Sequence, residues 1–243
     1  MPVLRDWDLA LDADKVLWGQ GADPAVIRAR RPKLAEVAEN AIDEGRMMLH
    51  PAVAYQRFPV QELRHERLVL GSPLVPEGAT AAASSSQGGV LVGPLIAEQL
   101  SGAQEVFVAV CSVGDELARY ASEHFQDDFT RGLALDGLAS AAAEALAEAM
   151  CRRVEEMVAN EGLQTTTPLN PGMIGWPLLE GQQQVFGLVD AQDIGVTLGE
   201  SGLMSPLKSV SFALGIGRDM NRAGRTCDYC TMRELCRYRD RAV

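Results

Sequence analysis

Apolar residues recur at helical spacing from Pro32 onward. Leu34, Val37, Ala38, Ala41 and Ile42 share one face, and Gly45 sits near the end of the pattern, which predicts a helix. Residues 51–77 alternate more and carry several prolines, so short strands and turns are expected there. A short helix is expected around Gly93–Leu100. The run Glu105-Val106-Phe107-Val108-Ala109-Val110-Cys111 is short, apolar and β-branched and reads as a buried strand. Ser112-Val113-Gly114-Asp115 then turns into a helix through His124. A second, Ala- and Glu-rich helix is expected from about Asp136 to Asn160, with Gly162 as its stop. Leu178–Asp190 reads as helical, and Ile194–Gly199 and Lys208–Gly217 read as strands.

The stretches between these elements are as informative. Residues 1–31 are mixed and contain a Gly-Ala-Asp-Pro turn at 21–24. Residues 78–89 are small and polar and read as a surface loop, or else as the Gly-rich entry to the next helix. Thr165–Pro177 is irregular and rich in Pro and Gly. Strands and helices mix without a βαβ alternation, so the expected class is α+β. The chain divides into an N-terminal helical segment (1–60), an α+β core (61–217) and a Cys-rich C-terminal tail (218–243).

Composition narrows the function classes. The 243 residues suffice for a sizeable core, and 47% of them are hydrophobic. Asp plus Glu is 33 against 22 Lys plus Arg, a formal net charge of −11. Such a chain repels phosphate backbones and anionic membranes, so no nucleic acid and no membrane is expected as partner. No apolar run approaches the roughly 20 residues of a membrane span. The N-terminus is polar, and a cytoplasmic location is expected.

Three places carry candidate chemistry. Cys227-x-x-Cys230-x5-Cys236 has thiolate spacing suited to zinc or an iron–sulfur cluster, with a fourth ligand to be found elsewhere, Cys111 and Cys151 included. Three ordinary reduced thiols are the plainer reading. Asn170-Pro171-Gly172-Met173-Ile174-Gly175-Trp176-Pro177 fixes an irregular backbone whose N–H and C=O groups can hold a small ligand, or simply form a rigid connector. Glu200-Ser201, near a strand end, offers a carboxylate for an amine or a sulfonium, or is a solvated turn. There is no Walker loop, GxGxxG, GxSxG or HExxH, and no catalytic acid or base is assigned.

Taken in order, several stretches resemble the activation domain of cobalamin-dependent methionine synthase, in particular its stand-alone bacterial members. They are Val106–Gly114, the Asp136–Glu156 helix, Pro171-Gly172, Trp176-Pro177, Gln182 or Gln183, Ile194–Ser201 and Met204-x-Pro206-x-Lys208-Ser209-Val210-Ser211. The closing Cys-x-x-Cys-x5-Cys-x-x-Arg is similar to the tail of those stand-alone relatives. The resemblance implies a curved α+β domain, with a twisted, mostly antiparallel sheet and flanking helices, over residues 61–217. It implies a stand-alone partner of a corrinoid protein, supporting reductive methylation of cobalamin with S-adenosylmethionine as methyl donor and drawing on a reductase. Asn170, Pro171, Gly172, Met173, Trp176, Glu200 and Ser201 would then line the small-molecule site.

One departure from the family pattern bears on the ligand. The family's loop resembles Arg-x-x-Pro-Gly-Tyr, its Arg pairing with the ligand carboxylate. Here the positions read Pro168-Leu169-Asn170-Pro171-Gly172-Met173. Losing such a charge-assisted pair costs about 2–4 kcal/mol. Either another cation such as Arg131 or Lys208 substitutes, or the pocket takes another methyl donor or acceptor, such as tetrahydrofolate. Two alternatives follow. One is a corrinoid-dependent methyltransferase moving methyl between a corrinoid protein and another acceptor. The other is a non-catalytic corrinoid-protein docking module.

Overall fold

The computed structural model describes residues 1–74, 88–220, 226–231 and 233–234. Its frame is an antiparallel sheet built around one long strand, β2 (Ala52–Arg64). The first part of β2 pairs with β5 (Glu105–Ser112), from Ala52 opposite Ser112 to Pro59 opposite Glu105. Beyond a bulge between Val60 and Glu62 it pairs instead with β3 (Arg67–Leu70). Prolines suggested short strands here, yet β2 runs on for 13 residues. Pro59 sits where β2 changes partner; its carbonyl accepts from Gly71 N (2.8 Å), and with no N–H it returns no bond there. β2 continues across position 60/61 through that bulge.

The sheet order is β4-β3-β2-β5-β9-β6, with β4 at Val90–Val92, β6 at Gln164–Thr165 and β9 at Ser209–Gly217. β1 (Val3–Leu4) pairs with the start of β2. The switch of partners along β2 curls the sheet into a half-barrel flanked by helices, an α+β fold.

Alternation along the central strands gives the sheet two apolar faces. Val53, Phe107, Ala109, Cys111, Phe212 and Leu214 pack against Leu146, Met150 and Val154 of α6 (Phe129–Ala159). Ala54, Phe58, Val106, Val108, Val110 and Ala213 pack on the other face, against Leu95 and Ile96 of α4 (Pro94–Gln99) and Val185 and Leu188 of α7 (Leu178–Leu188). Among the described residues no helix is long and apolar enough to cross a membrane.

Two short helices occupy part of residues 1–31, where the pattern left no clear element. Asp12 caps α1 (Ala13–Gly19), accepting from Lys15 N at 2.9 Å, and Asp23 caps α2 (Pro24–Arg30), accepting from Ala25 N at 2.8 Å. α3 (Pro32–Gly45) follows the expected pattern. α6 begins at Phe129, a turn and more before the expected Asp136. In this added stretch Gly132 faces α5 (Glu116–His124): a Cβ there would come within 3.1 Å of Ala121 O. Ile194–Gly199 is not one strand. A 3₁₀ turn at Gln192–Ile194 and left-handed Gly195 precede a two-residue β7 (Thr197–Leu198), which pairs with β8 (Met204–Ser205).

Two charged clasps tie helices to the frame. Arg57 on β2 pairs with Glu105 and with Glu161 just past α6, whose carboxyl it holds below the usual range. Arg131 on α6 donates to Glu44 of α3 (2.5 Å) and to Tyr120 of α5 (3.0 Å), and it likewise lowers the Glu44 carboxyl. A carboxyl depressed on folding stabilises above its unfolded pKa, near 4.3, and that stability is lost as pH falls through the folded value. Glu44→Gln is therefore expected to lower the melting temperature at pH 7, with the gap to wild type closing as pH falls through the depressed carboxyl value. A gap that persists in acid would show that the ion pair is not its source.

Candidate functional site

The segment Thr165–Pro177 folds back on the β9 side of the sheet. Leu169 and Ala213 exchange both backbone bonds at 2.9 Å, and the Asn170 side-chain amide donates to Ser211 O (2.9 Å). These bonds anchor the start of the loop. Gly172 N donates to Trp176 O (2.8 Å) and Trp176 N to Met173 O (2.9 Å), closing a tight turn. Gly172 (φ 99°) and Gly175 (φ 86°) take the left-handed backbone this turn requires.

Trp176 supports the turn from beneath. It is fully buried, and its Nε1 donates to Gln184 Oε1 (3.2 Å), which also accepts from Val92 N (2.9 Å). One glutamine thus joins loop, α7 and β4. Gly181 of α7 lets the loop lie directly on the helix: a Cβ there would meet Pro171 at 2.9 Å and the Trp176 ring at 3.1 Å. Gln182, also on α7, is buried and accepts from Ser211 Oγ (3.0 Å). Gln184 went unnoticed in the sequence because it is one of three consecutive glutamines, and nothing local marks which of them turns inward.

Glu200 and Ser201 occupy the exposed tip of the β7–β8 hairpin, closed by Gly199 N to Leu203 O (2.9 Å). Left-handed Gly202 (φ 81°) abuts the start of α7; a Cβ there would lie 3.2 Å from Leu179 Cα. On the other side, Leu178 flanks Gly172, 3.6 Å from where its Cβ would be. The first turn of α7 therefore stands between the Pro171–Gly172 turn and the Glu200–Ser201 tip. Ile174, Leu178, Leu179 and Leu203 leave apolar surface exposed around it.

Neither cation expected to replace the family's arginine is free. Arg131 is held by Glu44 and Tyr120. Lys208 donates to Asp136 (2.8 Å) and Ser140 Oγ (2.8 Å), both on α6, across the sheet from the loop.

The cysteines split into two sets. Cys111 and Cys151 pack in the α6-side cluster. Burial pushes both thiols up, Cys151 to about 12, so they stay protonated and are poor metal ligands. Neither completes the tail site. Cys227 and Cys230 are half-buried beside the loop, on the opposite face, with Met173 paired to Cys230 in an antiparallel bridge. Cys236 lies outside the described residues. Among the described residues no group of three or more His, Cys, Asp or Glu is arranged to hold a metal ion.

No protein-family model and no curated protein matches the chain. Among solved structures it is similar to the crystal structure of the MetH reactivation domain bound to AdoHcy. The TM-score is 0.62 at 17% identity, covering 94% of this chain and 83% of that one. The two chains share a fold, end to end in this one.

Proposed function

We propose that this protein is a stand-alone partner of a corrinoid protein and binds S-adenosylmethionine between the Pro171–Gly172 turn and the Glu200–Ser201 tip. The observation that carries the reading is the fold likeness to a domain seen with AdoHcy, the demethylated form of that donor. The placement of the two candidate segments on either side of one helical turn supports it. Glu200 offers a carboxylate to the donor's amine or sulfonium, and the Asn170–Trp176 backbone offers polar groups to its ends. Exposed Ile174, Leu178, Leu179 and Leu203 offer apolar area to the partner.

A corrinoid on the partner, once reduced by one electron from a reductase, would supply the nucleophile that takes the sulfonium methyl, with the demethylated donor as leaving group. This chain's residues supply position rather than acid or base: the methyl carbon must be held in line with the attacking centre. Pro168 and Met173 in place of an arginine and a tyrosine weaken the grip on the carboxylate. Binding is expected to be looser by about 30- to 1,000-fold than with a charge-assisted pair.

Titration calorimetry of S-adenosylmethionine into the full chain tests the reading. Binding is expected, weakened in Glu200→Gln. No binding at millimolar donor would sink it. The altered loop favours tetrahydrofolate as the second ligand to titrate, with a corrinoid methyltransferase as the matching function. Tight corrinoid-protein binding with neither ligand would point to a docking module.

A further inference from the structure

The tail turn of residues 226–231 lies along the candidate ligand loop as a short antiparallel partner. Met173 and Cys230 form an antiparallel bridge, Ile174 N donates to Tyr229 O (2.8 Å), and Thr231 Oγ donates to Gly172 O (3.2 Å). Tyr229 packs against the apolar cluster beneath. The turn has its own internal ties. Thr226–Tyr229 is a 3₁₀ turn, Cys230 N reaches Cys227 O at 3.3 Å, and Arg233 pairs with Asp228 at 3.3 Å.

The loop has its shape without the tail. Gly172 N donates to Trp176 O, Met173 N to Asn170 O and Trp176 N to Met173 O, so these amides are bonded within the loop. Leu169 and Asn170 fasten it to β9, and buried Trp176 holds it from below. The Ile174 amide and the Gly172 carbonyl turn to the tail instead. They are two of the backbone groups through which such a loop holds a small ligand, and a group bonded to the tail is not free for one. The tail turn lies at the surface: Thr226, Asp228 and Thr231 are exposed, and Cys227, Tyr229 and Cys230 are half-buried. A few hydrogen bonds and one ring are an attachment that opens locally without unfolding the rest.

We propose that residues 226–231 are a displaceable strap that competes with the small-molecule ligand for the backbone of residues 172–174. With the strap docked, the Tyr229 carbonyl holds the Ile174 N–H and the Thr231 hydroxyl holds the Gly172 carbonyl. Undocking frees one donor and one acceptor beside Leu178, which flanks Gly172. The apparent affinity of the loop is then its intrinsic affinity reduced by the fraction of molecules whose strap is open. A strap docked about nine-tenths of the time weakens binding about tenfold and slows exchange of the Ile174 amide by the same factor, because both report one equilibrium. The docking stands on the contacts; S-adenosylmethionine as the competitor rests on the function proposed above.

Three proteins test this under reducing conditions: the full chain, the chain ended at residue 225, and the full chain carrying Tyr229→Ala with Thr231→Val. Without ligand, the Ile174 amide should exchange about tenfold faster in the shortened chain, while the Leu169 and Ala213 amides, which anchor the loop, keep their protection. Titration calorimetry should show the shortened chain binding S-adenosylmethionine about tenfold more tightly than the full chain, with the double variant between them. Loss of Leu169 and Ala213 protection on shortening would mark a damaged loop, and the double variant then decides by the same two readings. The strap is overturned if Ile174 exchange does not respond, or if loosening the tail leaves affinity equal or lower while the anchor amides stay protected; equal binding would leave the proposed donor standing. If Ile174 responds and no chain binds S-adenosylmethionine, the donor reading falls and tetrahydrofolate is titrated into the same three proteins. Tighter binding of tetrahydrofolate without the tail upholds the strap, and no gain for either ligand overturns it.

Discussion

Trp176→Ala is expected to destabilise the protein by about 3–5 kcal/mol, as truncation of a fully buried Trp does. The side chain has no exposed surface, and two of its neighbours are glycines with no atoms to spare for refilling the space. Gly93 leaves 3.5 Å between a would-be Cβ and the ring, and Gly181 leaves 3.1 Å. Collapse around the hole would require backbone movement in both β4's exit and α7. Gln184 would keep its bond from Val92 N but lose the one from the indole. For a domain of this size the loss corresponds to a fall of roughly 6–20 °C in melting temperature. Trp176→Phe keeps most of the apolar volume and should cost less than half as much. Equilibrium urea unfolding of both variants measures this, and a loss under about 1 kcal/mol for the alanine variant would mean the loop packs without its tryptophan.

The second large effect is expected at Gly137, where α1 and α6 touch backbone to backbone. A Cβ on Gly19 would sit 2.1 Å from Gly137 O, and one on Gly137 would meet Val16 O at 2.7 Å and Gln20 Cγ at 2.5 Å. Neither backbone can give way without separating the helices. Gly137→Leu should therefore dislodge α1 and open the cluster of Val16, Leu17, Ala38, Leu135 and Leu138. We expect a loss of about 3 kcal/mol or more, at the upper end of overpacking costs. Gly187 on α7 is the control: nothing lies within 4 Å of its would-be Cβ, so Gly187→Ala should be neutral or stabilise by about 0.5–1 kcal/mol. Circular dichroism melts of the two variants report the contrast. Equal stability of Gly137→Leu and wild type would contradict the close helix contact.

Not everything in this fold was legible in one dimension. The buried strand Glu105–Ser112 and the helix Pro32–Gly45 follow directly from their apolar spacing. Burying one face imposes a period on the residues, and the period is visible in the chain. α2 escaped notice because Gly-Ala-Asp-Pro at 21–24 reads as a turn, although Asp23 caps a helix there, and α1, capped by Asp12, lies in a stretch of mixed pattern. The early part of α6 includes Gly132, whose reason is the backbone of α5. At the candidate site, the Pro and Gly positions marked the loop, but which side chains serve it was not marked. Gln184, Tyr229 and Thr231 act there only through partners 8 to 92 residues away in the chain.

The sequence by itself determined the α+β class, most of the elements, the irregular loop and the spacing of the tail cysteines. These rest on local rules: periodicity, glycine and proline geometry, and the reach of a two-residue turn. Tertiary structure alone decided the curl of the sheet, because it depends on β2 exchanging one partner for another across a bulge. It also decided that Arg131 and Lys208 are committed to carboxylates on the helical side, and that Cys111 and Cys151 lie on the face away from the tail. Contacts between residues far apart in the chain leave no period behind, so only the folded molecule reveals that the cysteine turn and the Gly172 loop are one unit.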